Sequence, residues 1–228
     1  MSNQSGSGAT KKSTVYIALI TAIAIIIGTI IIGFSGTTTN TQAGNETQTE
    51  NETQTTNEIP NAGITLENKV EFKITTNLGE ITIEAFSDKA PITVNALASL
   101  TQNNYFNNTI CHRLTTAGIY VLQCGDPTGT GTGGPGFLIP DENLPQSTEN
   151  NYPAGTVAMA NAGPGTSGSQ FFLVYQDTTL GPNYSIWGKI TNGLQIVQSI
   201  ASQGVNGGGS DGAPAQSVTI ESVAVTIS

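Results

Sequence analysis

The sequence is poor in the residues from which many active sites are built. Its 228 residues include one histidine, His112, one arginine, Arg113, and two cysteines, Cys111 and Cys124. A metal site made of several histidines and cysteines is therefore excluded, and a Ser-His-Asp triad would have to use His112. We expect no bound metal and no cofactor.

Positive charge is scarce as well. Seven Lys and Arg residues stand against sixteen Asp and Glu, which gives a formal net charge of −9. A nucleic-acid-binding domain needs a basic surface, so nucleic acid is not an expected partner. Charged residues make up only 10% of the chain and glycine reaches 27 residues, which favours a loop-rich β protein over a helical bundle.

One long stretch, residues 15–34, contains no charged residue. Twenty helical residues span about 30 Å, the thickness of a bilayer core. A cleaved signal peptide would have a shorter apolar region, of about 7–15 residues, and a cleavage site of the A-x-A type. Because Lys11 and Lys12 precede the stretch, the positive-inside rule places residues 1–14 in the cytoplasm. We therefore predict a retained single-pass anchor in the cell membrane, with everything after residue 34 outside the cytoplasm.

A polar segment, residues 35–63, follows the predicted anchor. It is rich in Thr, Asn, Gln and Glu, and the unit NETQT occurs at 45–49 and again at 51–55. Such a segment buries too little apolar surface to offset the entropy of ordering, so we predict a disordered linker. Asn45 and Asn51 begin N-glycosylation sequons.

Residues 64–228 are long enough for one globular domain. Alternating apolar residues on both sides of Asn77–Gly79 predict a β-hairpin, and Pro91 fits the first position of a helix over 91–102. A second helix is predicted over 193–201. Further strands are predicted within 110–125, 156–160, 170–175 and 218–227. This order predicts a mainly β fold, a closed antiparallel β-barrel capped by two α-helices.

Two glycine-rich motifs have the letters of catalytic sites without their context. Gly129–Gly134 matches G-x-G-x-x-G, but Pro135 follows and no helical pattern begins, so a nucleotide is not an expected partner. Gly208–Gly212 matches G-x-S-x-G without a strand-to-helix step. We predict that both are surface loops.

Polar side chains interrupt three apolar strands. Arg113, Gln123 and Gln170 stand in such strands, near Tyr120 and Phe172. A guanidinium inside a short strand must reach water, an anion or fixed acceptors. The pattern indicates a shallow binding face that is partly polar and partly apolar.

Several motifs resemble, in order, those of the cyclophilin-type peptidyl-prolyl cis-trans isomerases. The signature is Met159–Pro164 followed by Gly168–Phe172, and the resemblance extends over residues 68–227. The other matching blocks are Asp88–Asn95, His112-Arg113, Gln123–Asp126, Gly131–Gly134, Asp141–Asn143 and Ile186–Lys189.

The resemblance implies a cyclophilin-like fold, isomerase activity on X-Pro bonds, and proline-containing polypeptides as partners. Arg113 matches the catalytic arginine, and Gln123 matches the glutamine that positions the substrate and that arginine. The other implied substrate-binding residues are Tyr120, Val121, Phe172 and Leu180 around the proline ring, Ala160 and Asn161 along the substrate backbone, Gln170 as a polar wall, Gly131 and Thr132 in a neighbouring subsite, and Tyr184 in place of a frequent histidine.

Two alternatives to an active enzyme remain. The domain could bind proline-containing segments without catalysis, or serve as a structural protein of the cell surface. The sequence favours the enzyme, because the chain keeps its single arginine, Arg113, together with Gln123.

The two cysteines flank the predicted catalytic arginine. If the strands form a hairpin around residues 115–119, Cys111 and Cys124 face each other. A disulfide there requires favourable geometry and an oxidising compartment. The alternative is two small apolar side chains that fill space between the strands.

Overall fold

A computed structural model describes residues 58–228. The predicted tail 1–14, the predicted anchor 15–34, both sequons and most of the predicted linker 35–63 lie outside these residues. Within 58–228, no helix is both long and apolar enough to cross a membrane.

The described residues form ten strands and two helices. In chain order these are β1 Val70–Thr76, β2 Gly79–Ala85, α1 Pro91–Gln102, β3 Thr109–Ile110, β4 Arg113–Thr115, β5 Val121–Cys124, β6 Thr156–Met159, β7 Phe171–Val174, β8 Ile186–Asn192, α2 Leu194–Ser202, β9 Asp211–Gly212 and β10 Thr219–Ile227.

All ten strands belong to one antiparallel sheet in the order β3-β10-β1-β2-β8-β6-β7-β5-β4-β9. This confirms a mainly β fold with two helices, but the predicted closure of the barrel is wrong. The sheet is a half-barrel, because its end strands β3 and β9 each pair with one neighbour only. Both end strands are two residues long, and after β3 the backbone N–H of Cys111 donates to the carbonyl of Val218 at 3.0 Å. On its other side β3 makes only an isolated bridge from Ile110 to Asp126, which is not a ladder that closes the sheet.

The predicted hairpin is present as β1 and β2, with Thr76 opposite Gly79. Val70, Phe72 and Ile74 are buried, whereas Glu71 and Lys73 between them are exposed. Successive side chains of a strand point to opposite faces, so this alternation gives one face to the core and the other to water.

Both helices were predicted to within one residue. Helix α1 has the predicted bounds and begins at Pro91. The carboxylate of Glu142 accepts hydrogen bonds from the backbone N–H groups of Ile92, at 3.1 Å, and Thr93, at 2.8 Å. A negative group near a helix N-terminus satisfies N–H groups that have no partner within the helix. Helix α2 spans Leu194–Ser202, and the strands β8 and β9 were not predicted.

Buried apolar side chains form two clusters. The larger one lies between the sheet and the helices and includes Ile83 and Leu97, which are at most 1% exposed. Ile59 and Ala62, which precede residue 64, also pack against it. The smaller cluster consists of Val121, Tyr152, Ala158, Phe172 and Val174. It contains two of the side chains that were predicted to contact the substrate.

Candidate active site

Arg113 and Gln123 lie directly opposite each other on β4 and β5. Directly paired residues of an antiparallel sheet point to the same face, so their side chains meet. The Arg113 Nη1 donates to the Gln123 Oε1 at 3.3 Å. The predicted pairing of these two side chains therefore follows from the register of two short strands.

A second glutamine continues this contact across the sheet. The Gln123 Nε2 donates to the Gln170 Oε1 at 2.9 Å. The Gln170 Nε2 in turn donates to the carbonyl oxygens of Gly131, at 3.1 Å, and Gly133, at 2.9 Å. An amide with both ends engaged has a defined orientation. Four of the residues predicted from the resemblance, Arg113, Gln123, Gln170 and Gly131, thus belong to one hydrogen-bonded network.

The loop that contains Gly129–Gly134 is folded around a buried carboxylate. Asp126 is completely buried and accepts hydrogen bonds from the backbone N–H groups of Gly131, at 2.6 Å, Gly133, at 3.1 Å, and Thr128, at 2.7 Å. Burial alone would raise the pKa of Asp126, but these hydrogen bonds and one from the Thr128 hydroxyl outweigh it and lower the pKa to about 2. The carboxylate fixes the loop that carries the predicted subsite residue Gly131.

A groove of about 500 Å³ runs beside this network. The predicted residues that line it are Gln123, Gly131, Thr132, Ala160, Asn161 and Gln170. Ala160 and Asn161 follow directly after β6, and the Ala160 N–H donates to the Gln170 carbonyl at 2.9 Å. The groove therefore brings together the predicted backbone-binding residues and the predicted neighbouring subsite.

The smaller apolar cluster adjoins the network on neighbouring strands. Val121 and Phe172 are almost fully buried in it, and Leu180 and Tyr184 pack against it with partial exposure. The rings of Phe172 and Tyr184 pack edge to face with centroids 5.5 Å apart. The Tyr152 hydroxyl donates to the Tyr184 carbonyl at 3.1 Å, which holds this wall in place.

Tyr120 is the one predicted apolar pocket residue that does not join this cluster. Its ring packs edge to face against Tyr175, with centroids 5.9 Å apart, and belongs to the border of the larger core. Val121 and Tyr120 are adjacent in the chain, and adjacent side chains of extended backbone point to opposite faces. The structure therefore separates two residues that the resemblance had placed in one pocket.

Asp211 is a member of the site that no motif in the sequence indicates. Its two carboxylate oxygens accept hydrogen bonds from the Arg113 Nε and Nη2, both at 2.7 Å. The hydrogen bonds to Asp211 raise the pKa of Arg113 although burial opposes this, and the same contact lowers the pKa of Asp211. Asp211 belongs to Gly208–Gly212, so that predicted surface loop supplies a side chain to the site. No local signal in the sequence marks a contact across 98 residues.

His112 does not assemble a triad. Both of its ring nitrogens are buried and have no hydrogen-bond partner among residues 58–228. Burial lowers the pKa of His112, and this effect exceeds the opposing effect of the Asp126 carboxylate. The ring is therefore favoured in its neutral form.

Cys111 and Cys124 form a disulfide in the structure, with Cα atoms 4.0 Å apart. Because Arg113 faces Gln123, the ladder is one residue away from the predicted register, and Cys111 lies just before β4. The bridge thus joins β5 to the segment that leads into Arg113.

The chain matches a known family model. The model, described as cyclophilin type peptidyl-prolyl cis-trans isomerase/CLD, matches residues 71–225. The chain is also 48% identical over 166 residues to a protein named probable peptidyl-prolyl cis-trans isomerase B of Mycobacterium tuberculosis, an alignment that covers 68% of this chain and 54% of that protein. The chain therefore spans about half the length of this relative.

Three further comparisons agree. A protein of Aspergillus fumigatus named peptidyl-prolyl cis-trans isomerase-like 1 is 39% identical over 127 residues, which is 54% of this chain and 76% of that protein. A crystal structure of a cyclophilin type isomerase from Cryptosporidium parvum matches with a TM-score of 0.61 and 28% identity, and covers 70% of this chain and 98% of that one. The same protein crystallised in the presence of the dipeptide Ala-Pro matches with a TM-score of 0.60 and 29% identity, and covers 68% of this chain and 98% of that one.

Proposed function

Since the chain belongs to the cyclophilin-type peptidyl-prolyl cis-trans isomerase family, we propose that it catalyses the cis-trans isomerisation of X-Pro bonds in polypeptides. The observation that carries the proposal is the position of the Arg113 guanidinium. The guanidinium donates a hydrogen bond to Gln123 and lies on the same sheet as the apolar cluster around Phe172. The Ala-Pro dipeptide used with the Cryptosporidium parvum protein supports proline-containing segments as ligands.

The reaction needs no covalent chemistry. An X-Pro bond keeps partial double-bond character, with a rotational barrier of about 18–20 kcal/mol, and exchanges in tens to hundreds of seconds. Twisting the bond removes the resonance, so the imide nitrogen regains its lone pair. A donor near that nitrogen stabilises the twisted form more than the planar form, which is differential binding of the transition state.

The side chains divide this task between them. Arg113 supplies the donor, and its pKa is raised, so it stays charged. The partly exposed Leu180 and Tyr184, which pack against the buried cluster of Val121 and Phe172, offer an apolar surface for the proline ring. Ala160 and Asn161 line the adjoining groove, where they hold the flanking chain. With both sides held, rotation is confined to one bond.

The test is Arg113→Ala in the full-length chain, purified in detergent and assayed by solvent jump on a short peptide with one Ala-Pro bond. We expect kcat/KM to fall at least about tenfold, a loss of about 1.4 kcal/mol of transition-state stabilisation. Lys73→Ala removes an exposed cation from β1 and serves as the matched control, with unchanged activity. An inactive wild type contradicts the proposed function, and an Arg113→Ala variant as active as the wild type contradicts the role of Arg113.

We further propose that residues 15–34 anchor the protein in the cell membrane, with the isomerase domain outside the cytoplasm, where it assists the folding of exported proteins. The support is the uncharged stretch itself and the pair Lys11-Lys12 before it. The bridge between Cys111 and Cys124 is compatible with this location, because disulfides persist mainly in oxidising compartments.

Protease treatment of intact cells tests this orientation. We expect cleavage within residues 35–57, which releases the folded domain, while a cytoplasmic marker protein stays intact. If the domain is cleaved only after the membrane is permeabilised, the orientation is the reverse.

A further inference from the structure

Strand pairing brings Asp211 next to Arg113, although the two residues are far apart in the sequence. Strand β9 pairs with β4, and Thr115 lies opposite Asp211. Arg113 is two residues from Thr115 and therefore on the same face of β4. Diagonal neighbours on one face lie about 7–8 Å apart, a distance that a long side chain spans. The two-residue strand β9 thus places a carboxylate beside the guanidinium.

The preceding loop is shaped to deliver this carboxylate. The Thr116 N–H donates to the Ser210 carbonyl at 2.8 Å, which ties the loop to the end of β4. Gly212 has a φ of +157°, and a Cβ there would lie 2.9 Å from the Val205 Cγ1. A side chain at Gly212 would therefore displace either Val205 or the segment that carries Asp211.

The contact determines which donors of the guanidinium remain for a substrate. A guanidinium has five N–H groups. Its Nε–H and one Nη2–H bind Asp211, and one Nη1–H binds Gln123. One N–H on each terminal nitrogen, Nη1 and Nη2, is left without a partner among these contacts.

We propose that Asp211 is a positioning residue for Arg113, which holds the guanidinium plane so that its two remaining N–H groups face the substrate. This inference rests on the proposed isomerase activity. Without Asp211, only the hydrogen bond to Gln123 would hold the guanidinium, and the rest of its orientation would have to be ordered in each catalytic cycle. The Arg113 and Asp211 side chains are 40% and 54% exposed. Exposed ion pairs contribute little to stability, so the main effect of the pair is on orientation.

The kinetic test compares Asp211→Asn with Glu221→Gln, which removes an exposed carboxylate from β10. We expect Asp211→Asn to lower kcat about fivefold with little change in KM, and Glu221→Gln to change neither. Asp211→Glu keeps two carboxylate oxygens and should retain more activity than Asp211→Asn.

A double mutant separates positioning from a general structural effect. In an Arg113→Ala background, Asp211→Asn should cause no further loss, because Asp211 acts through the guanidinium. An equal loss in both backgrounds overturns the proposal. An inactive wild type would contradict the proposed function, whereas an active wild type that is insensitive to Asp211→Asn contradicts this inference alone.

A second measurement does not depend on activity. Arg113 is the only arginine in the chain, so a ¹H–¹⁵N spectrum of arginine side chains contains one Nε–H resonance, which needs no assignment. We expect slow exchange of this proton with water in the wild type and in Glu221→Gln, and fast exchange in Asp211→Asn. Fast exchange in the wild type overturns the proposed contact.

Discussion

Two halves of the domain are stabilised by different interactions. In the long-strand half, formed by β1, β2 and β10, strands of seven, seven and nine residues pair along most of their length. In the short-strand half, formed by β4, β5, β7 and β9, each strand has two to four residues. The candidate active site lies in the short-strand half.

The short-strand half has few backbone hydrogen bonds between strands, but it has side-chain hydrogen bonds and a disulfide. Asp126 orders a loop through backbone N–H groups, Gln170 binds two carbonyls, and Asp211 binds Arg113. A disulfide joins Cys111 to Cys124 in the same region. Short strands leave loops free to carry functional side chains, and side-chain contacts then provide the order that long ladders provide elsewhere.

The largest expected effect on stability comes from removing the disulfide. Cys111→Ala combined with Cys124→Ala should lower the free energy of unfolding by about 3 kcal/mol, because the bridge closes a short loop and restricts the unfolded chain. Denaturant unfolding with and without reductant measures this, and reductant should have no effect on the double variant.

Hydrogen exchange then sharpens the comparison of the two halves. In the double variant, the backbone amides of β4 and β5 should exchange through a lower-energy opening than those of β1 and β2. Equal protection in all four strands would contradict the division into halves.

Intact mass after alkylation without reductant tests whether the disulfide between Cys111 and Cys124 is present. Two alkylated thiols in protein isolated from its native membrane would show that it is absent.

A smaller effect is expected from acid. The pKa of Asp126 is about 2 in the folded protein, below its ordinary value of 3.8. A depressed folded pKa contributes stability that is present above the unfolded value and is lost as the pH falls through the folded one. We expect wild-type stability to fall by about 2 kcal/mol between pH 4 and pH 2 through this group.

Asp126→Asn identifies the source of that loss. The variant should be less stable than the wild type at neutral pH, and its stability should change less between pH 4 and pH 2. Glu221→Gln in the long-strand half is the control and should keep the wild-type pH dependence. Identical acid profiles for Asp126→Asn and the wild type would show that the buried carboxylate does not order the loop.

Much of the long-strand half follows from local pattern. The alternation in Val70–Thr76 and Gly79–Ala85 predicts both strands of the hairpin, and Pro91 predicts the start of α1. These signals are local because a strand or a helix repeats its geometry every few residues. The pairing of Arg113 with Gln123 was also predicted, from the resemblance to a family and not from periodicity.

Only the tertiary structure decided three features of the domain: the open half-barrel, the position of Tyr120 and the contact between Arg113 and Asp211. The sequence by itself determined the β1–β2 hairpin and both helices, because their signals lie within a few residues of one another. The open half-barrel depends on where β3 and β9 end, and the position of Tyr120 depends on which face of the chain meets Tyr175. The contact between Arg113 and Asp211 joins residues 98 positions apart. Such features depend on elements that meet only after folding, and no local pattern in the chain encodes them.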